Sequence, residues 1–169
     1  MSNNNLPHWD LTPIYKGVDT PDFISDLEKV VTLSSKLKSD IEAHKSLYDI
    51  VTALNEIITI QSTLNSYANA ILTTDTSNSS YIKAVGSVEE ALLKFQEAED
   101  LFVSKIKDYQ NEFSDPRLKA YSYILNEYLV ESTHQMSLAE EALAADLARS
   151  GVGAFERLYD SVSSSICDN

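Results

Sequence analysis

Between Asp22 and Asp115 the chain runs for 94 residues without a proline and with a single glycine, Gly86. Sandwiches and barrels need a turn every few residues, and their turns draw on those two residue types. A stretch so poor in both is left with long helices. The whole chain has four glycines and four prolines in 169 residues, the prolines at 7, 13, 21 and 116. That length suits one domain. It can bury roughly 70% of the surface its unfolded form exposes. With 43% apolar and 23% charged residues, the composition is that of a globular protein.

The apolar pattern divides the chain. Residues 1–20 form an irregular arm in which His8-Trp9-Asp10-Leu11-Thr12-Pro13-Ile14-Tyr15 crowds bulky side chains around a proline. A lone tryptophan in such an arm is expected to dock on the body at 21–169. Thr20-Pro21-Asp22 reads as a helix start, with a threonine cap, proline at the first position and an acid in the first turn. Phe23, Leu27, Val30, Leu37 and Ile41 carry that helix to about residue 43. Ser46 caps a second stripe: Leu47, Ile50, Val51, Leu54, Ile57, Ile58, Gln61, Leu64, Ala68, Ile71 and Leu72. Steps of three and four over some 26 residues mark an amphipathic helix, roughly 39 Å long. After the polar turn at 73–80 a third stripe runs from Tyr81 to Tyr109, with Ala84, Ala91 and Ala98 beside it for a close-packed neighbour. The expected fold is all-α, an elongated antiparallel helical bundle with an irregular N-terminal arm.

Ser114-Asp115-Pro116 starts a further helix carrying Leu118, Tyr121, Ile124, Leu125 and Tyr128, and 130–136 reads as a loop. Ser137 with Glu140 three residues on is a capping box. Gly151 ends the alanine-rich helix behind it. Ala154-Phe155-Glu156-Arg157-Leu158-Tyr159 begins a short last helix with a serine-rich end.

Charge excludes several partners. Thirteen basic against 26 acidic residues leave a net charge of −13. No Lys/Arg cluster is present to neutralise phosphates, so nucleic acid is not expected as a partner. An anionic membrane surface would repel the chain, and no run of about 18 apolar residues could span a bilayer. Cys167 is the single cysteine, which rules out an intrachain disulfide and fits a reducing, cytoplasmic setting. The opening residues lack the basic and apolar segments of a secretory signal.

The residues alone assemble no catalytic constellation and no metal site. HExxH, CxxC, GxSxG and a phosphate-cradling glycine loop are all missing. Glu131-Ser132-Thr133-His134 matches one half of a di-iron bundle motif. His8 and His44 supply no second half, and loop residues are the simpler reading. Glu99, in the apolar seam of the third helix, is expected to pair with a neighbouring Lys or Arg or to lie at the seam's edge.

Three segments, taken in order, resemble the N-terminal region of oligoendopeptidase F and its relatives among the thimet-type zinc oligopeptidases. The first is Trp9-Asp10-Leu11-Thr12-Pro13-Ile14-Tyr15, and the second is Leu64-Asn65-Ser66-Tyr67-Ala68 within the long helix. The third and most specific is His134-Gln135-Met136-Ser137-Leu138-Ala139-Glu140-Glu141, followed by Gly151-Val152-Gly153-Ala154-Phe155-Glu156-Arg157-Leu158-Tyr159. The resemblance implies the non-catalytic N-terminal domain of a longer cytoplasmic metalloendopeptidase that hydrolyses short peptides. It implies zinc held by an HExxH helix in a C-terminal catalytic domain, where two histidines four apart share one helix face. That catalytic domain and the oligopeptide substrate are the implied partners, and this region would wall the substrate cavity. Residues 120–169 hold eight acids against Arg149 and Arg157, so Glu140, Glu141 and Asp146 are the candidate cavity-wall acids. The alternative is a stand-alone helical bundle serving as an adaptor or sensor for protein–protein binding.

Overall fold

The three long stripes find one another. In the computed structural model, which describes residues 10–167, helices α1 (Pro21–Glu42), α2 (Leu47–Leu72) and α3 (Ser79–Lys105) each pack against the other two. Residues 43–46 and 73–78 join them, connections so short that consecutive helices must run antiparallel. Behind them come α4 (Ser122–Glu131), α5 (Leu138–Ser150) and α6 (Val152–Cys167), with no strand among the described residues. The fold is all-α, as its pattern of apolar residues requires. No helix among the described residues is long and apolar enough to cross a membrane. His8 and Trp9 lie outside the described residues, as does the side chain of Cys167.

The core is filled by the expected positions. Phe23, Val30, Leu37 and Ile41 of α1 meet Leu47, Ile50, Leu54, Ile57 and Leu64 of α2 and Val88, Phe95 and Phe102 of α3 in one cluster. Ala84, Ala91 and Ala98 are all buried, so α3 presents a smooth strip along its packed side. The single buried polar side chain among the described residues, Ser34, donates its hydroxyl to Val30 O at 2.6 Å. Tyr15 carries the arm into this core. Its ring lies edge-on to Phe23 and Tyr67, with centroids 5.3 and 5.1 Å away, and its hydroxyl donates to Asp26 Oδ2 at 2.8 Å.

Several local expectations need correction. Thr20 does not cap α1 with its side chain; its hydroxyl donates instead to Gly17 O at 2.8 Å, closing the preceding turn. The third helix does not continue unbroken to Tyr109, because Ile106–Glu112 tightens into a 3-10 segment. A 3-10 helix has three residues per turn, so Ile106 and Tyr109 stay on one buried side. The tightening also serves the neighbouring helices. Tyr109 donates its hydroxyl to Ile41 O at 3.3 Å, and Glu112 Oε2 accepts the Leu47 N–H at 2.7 Å. That N–H is one of the donors left open at the start of α2, where a carboxylate also meets the positive end of the helix dipole. Ser46 and Glu112 thus cap α2 together, one from the same turn and one from 65 residues away.

Beyond Pro116 the chain first forms another 3-10 segment, Pro116–Tyr121, before α4 begins. The helix reaches Glu131, so this residue closes α4 rather than lying in a loop; His134 is in the turn beyond. The last helix starts at Val152, directly after Gly151, and takes in the serine-rich end as far as Cys167. Glu99 pairs with neither Lys nor Arg: Tyr128 donates its hydroxyl to Glu99 Oε1 at 2.7 Å.

Gly86 in the middle of α3 tests how far helix propensity alone contributes. A Cβ at this position would meet nothing within 4 Å. Gly86→Ala is expected to raise stability by about 0.5–1 kcal/mol, the usual cost of glycine in a helix interior. A urea titration that shows no gain would mean that the glycine relieves a strain within α3.

Candidate functional site

The His134–Glu141 motif forms a helix entrance. Ser137 has extended backbone geometry and its Oγ accepts the Glu140 N–H at 3.4 Å, while Glu140 Oε2 accepts the Ser137 N–H at 3.0 Å. The capping box read from the sequence is present in full. These bonds hold the Glu140 carboxyl below its ordinary range, the Ser137 hydroxyl contributing most. Glu141 lies in the same first turn and accepts the Met136 N–H at 3.0 Å. Two acids at a helix N-terminus are electrostatically well placed.

Behind this entrance α5 lies against α3, with a groove of about 320 Å³ between them. Asp146 lines it from α5, facing Glu90, Lys94, Glu97 and Asp100 of α3. Of the three acids named from the sequence, Asp146 therefore lines the groove and Glu141 stands close enough to act on Asp100. Glu140 is committed to the cap.

The groove's charge is partly internally matched. Lys94 Nζ lies 2.8 Å from Glu97 Oε1, and Lys38 Nζ lies 3.7 Å from Glu97 Oε2. The Lys94 contact, as the largest effect, holds the Glu97 carboxyl below its ordinary range. Arg149 reaches Glu90 at 4.0 Å. Among the described residues Asp100 forms no ion pair. Its half-buried carboxyl is pushed up to about 6, first by burial and then by Glu141, Glu99 and Glu131. Three helices thus converge on one carboxyl: α3 with Glu99, α4 with Glu131 and α5 with Glu141. Gln135 pins the corner from the intervening turn, donating Nε2–H to Asp100 O at 2.8 Å.

Asp100, Glu97 and Glu90 are the site residues that sequence reasoning missed. A signal existed, since 90, 94, 97 and 100 recur at steps of three and four, a charged stripe beside the apolar one. The groove suits attraction of a cation. Among the described residues no group of three or more His, Cys, Asp or Glu is placed to hold a metal ion.

Residues 104–166 match the family model of oligopeptidase F, in the form describing the N-terminal part of these peptidases. No curated protein and no solved structure matches the chain. The match takes in the third motif, at 134–141 and 151–159, and bears out the resemblance to the N-terminal domain of oligoendopeptidase F. It runs from the end of α3 through α6, so the α1–α2–α3 core falls almost wholly outside it. Over that segment the chain is similar to the N-terminal part of these peptidases.

Proposed function

We propose that the chain is the non-catalytic N-terminal domain of a cytoplasmic zinc metalloendopeptidase of the oligopeptidase F type. Its place is in the wall of the cavity where short peptides are cut. The observation that carries this reading is the match over 104–166, the segment that also brings Glu131, Glu141 and Asp146 to the α3–α5 corner. The zinc and its HExxH ligands belong to the catalytic domain. This chain contributes shape and charge. An acidic wall raises the local concentration of cationic peptides, an effect that salt screens.

The test uses the complete polypeptide. Chelator-sensitive hydrolysis of short peptides is expected, and its absence would end the peptidase reading. Neutralising Glu140, Glu141 and Asp146 together by Glu→Gln and Asp→Asn is then expected to lower kcat/KM for a cationic peptide severalfold relative to a neutral one at low salt. The difference should shrink at high salt. An unchanged ratio at low salt would leave the wall a steric role only.

A further inference from the structure

Where α6 faces the first turns of α3, those two helices and the end of α2 enclose a cleft of about 340 Å³. Leu72, Ile82, Val85 and Leu158 give it an apolar lining. Ile82 and Leu158 are 50% and 56% exposed, so both keep apolar surface open to whatever enters. At the polar end Arg157 donates from Nη1 to Glu89 Oε1 at 2.7 Å and from Nη2 to Arg149 O at 3.3 Å. Gly86 belongs to the same wall. It is the single glycine between Asp22 and Asp115, and glycine inside a helix weakens it. Positive φ or the close approach of a neighbour ordinarily accounts for such a residue, and neither applies. None of the described glycines has a positive φ, and a Cβ at Gly86 would meet nothing within 4 Å. What the missing side chain leaves is room in the cleft.

We propose that this cleft binds a small amphiphile: a protonated primary amine joined to one compact apolar group, a branched aliphatic chain or a single ring. The inference stands apart from the peptidase reading. Size sets the first limit. Ligand pockets run from roughly 300 to 1,000 Å³ and are mostly apolar with a few polar groups that fix orientation. This cleft lies at the small end of that range and has that composition, so it admits one compact group and no long chain. Charge sets the second. The Arg157 guanidinium is spent on Glu89 and Arg149 O, whereas Glu89 is engaged through Oε1 alone; among the described residues its Oε2 accepts no hydrogen bond. Asp160 also lines the cleft but already has a partner, so recognition is assigned to Glu89. The Glu89 side chain is 26% exposed, and a partly shielded carboxylate makes a short, charge-assisted bond to an ammonium. An anion would meet two carboxylates and an arginine that is already bonded. The chain's net charge of −13 also draws cations towards it.

Spacing along α3 sets the third. Ile82, Val85, Gly86 and Glu89 follow at steps of three, one and three, which places them on one helix face. Glu89 therefore stands one turn, about 5.4 Å along the axis, beyond the gap at Gly86. An apolar group seated over Gly86 has its amine beside Glu89 when the two are separated by a short aliphatic link. Two sources supply this chemistry: a free small amine, or the amino terminus of a peptide whose first residue is apolar.

The experiment titrates the complete polypeptide, labelled at its Ile, Leu and Val methyl groups, with 3-methylbutylamine and with its neutral counterpart 3-methylbutanol. Methyl resonances of Leu72, Ile82, Val85 and Leu158 are expected to shift, with a Kd for the amine on the order of 1 mM or tighter. The amine should bind about fivefold more tightly than the alcohol, or better. Gly86→Leu fills the cleft and should weaken both probes about tenfold or more. It should not lower the melting temperature, because leucine is a better helix former than glycine. Glu89→Gln keeps the side chain's shape and should remove the amine's advantage while leaving the alcohol's affinity within about twofold. Equal affinity for amine and alcohol, shifts that persist in Gly86→Leu, or no methyl shift with either probe would overturn the site. Leucinamide and a leucyl-glycyl-glycine tripeptide, with a chelator present to keep the peptide intact, distinguish the two sources. A tripeptide that binds as tightly as leucinamide identifies a peptide amino terminus, and binding of leucinamide alone identifies a free amine. Failure of both would overturn the amine recognition.

Discussion

Phe102→Ala is expected to cost about 3–5 kcal/mol of folding stability, the range for deleting a fully buried aromatic ring. Phe102 is wholly inaccessible to solvent. Its ring meets Tyr128 edge-on at 5.5 Å and Tyr109 at 6.3 Å, so one side chain joins α3, the 3-10 segment and α4. Each tyrosine also makes a bond that sets the position of another element: Tyr109 to Ile41 O, and Tyr128 to Glu99. The cavity left by alanine would loosen both anchors. The α4–α6 side should feel this first, because α5 buries no residue of its own. Urea titration checks the total loss, with an unchanged slope indicating that the transition still involves the whole structure. A loss below about 1.5 kcal/mol would mean that Tyr109 and Tyr128 collapse into the space.

How much of this could be read from the residues depends on where the deciding contact lies. The stripes on α1, α2 and α3 were legible because each helix buries one continuous face, and periodicity reports a face directly. The 3-10 break at Ile106 was not. Residues 106 and 109 are three apart, a spacing that an α-helix also allows, and the contacts favouring the tighter turn reach Ile41 and Leu47. Periodicity also fails to distinguish a buried face from an exposed one. The α6 stripe of Val152, Phe155, Tyr159 and Ile166 has the same signature as the α2 stripe, yet the first is exposed and the second buried. The candidate site divides in the same way. Asp146 and Glu141 stood out by local acid density, whereas Asp100 depends on three helices meeting around it, which no local window contains.

Asp100 gives the sharpest pH test of that convergence. With its carboxyl pushed up to about 6 in the folded chain, against an ordinary value of 3.8, the native state binds more protons than the unfolded state between those two values. Stability therefore falls as pH rises through that window and levels off above about pH 6. The destabilisation is fully present at neutral pH and relieved in mild acid, the reverse of a salt-bridged aspartate. A shift of about two units corresponds to about 2.7 kcal/mol. Solvent around a half-buried carboxyl screens much of this, leaving about 1–1.5 kcal/mol. Asp100→Asn keeps the shape of the side chain and removes the charge that Glu99, Glu131 and Glu141 oppose. The variant should be more stable than the parent by about that amount at pH 7.5, and the gain should vanish near pH 4, where the parent's carboxyl is itself mostly protonated when folded. Denaturant midpoints at pH 4, 5, 6 and 7.5 for both chains give the comparison. A gain that stays constant across this range would assign the effect to amide hydrogen bonding instead of charge. No gain at pH 7.5 would mean that Asp100 is less buried, and the three glutamates farther from it, in solution than in the α3–α4–α5 corner.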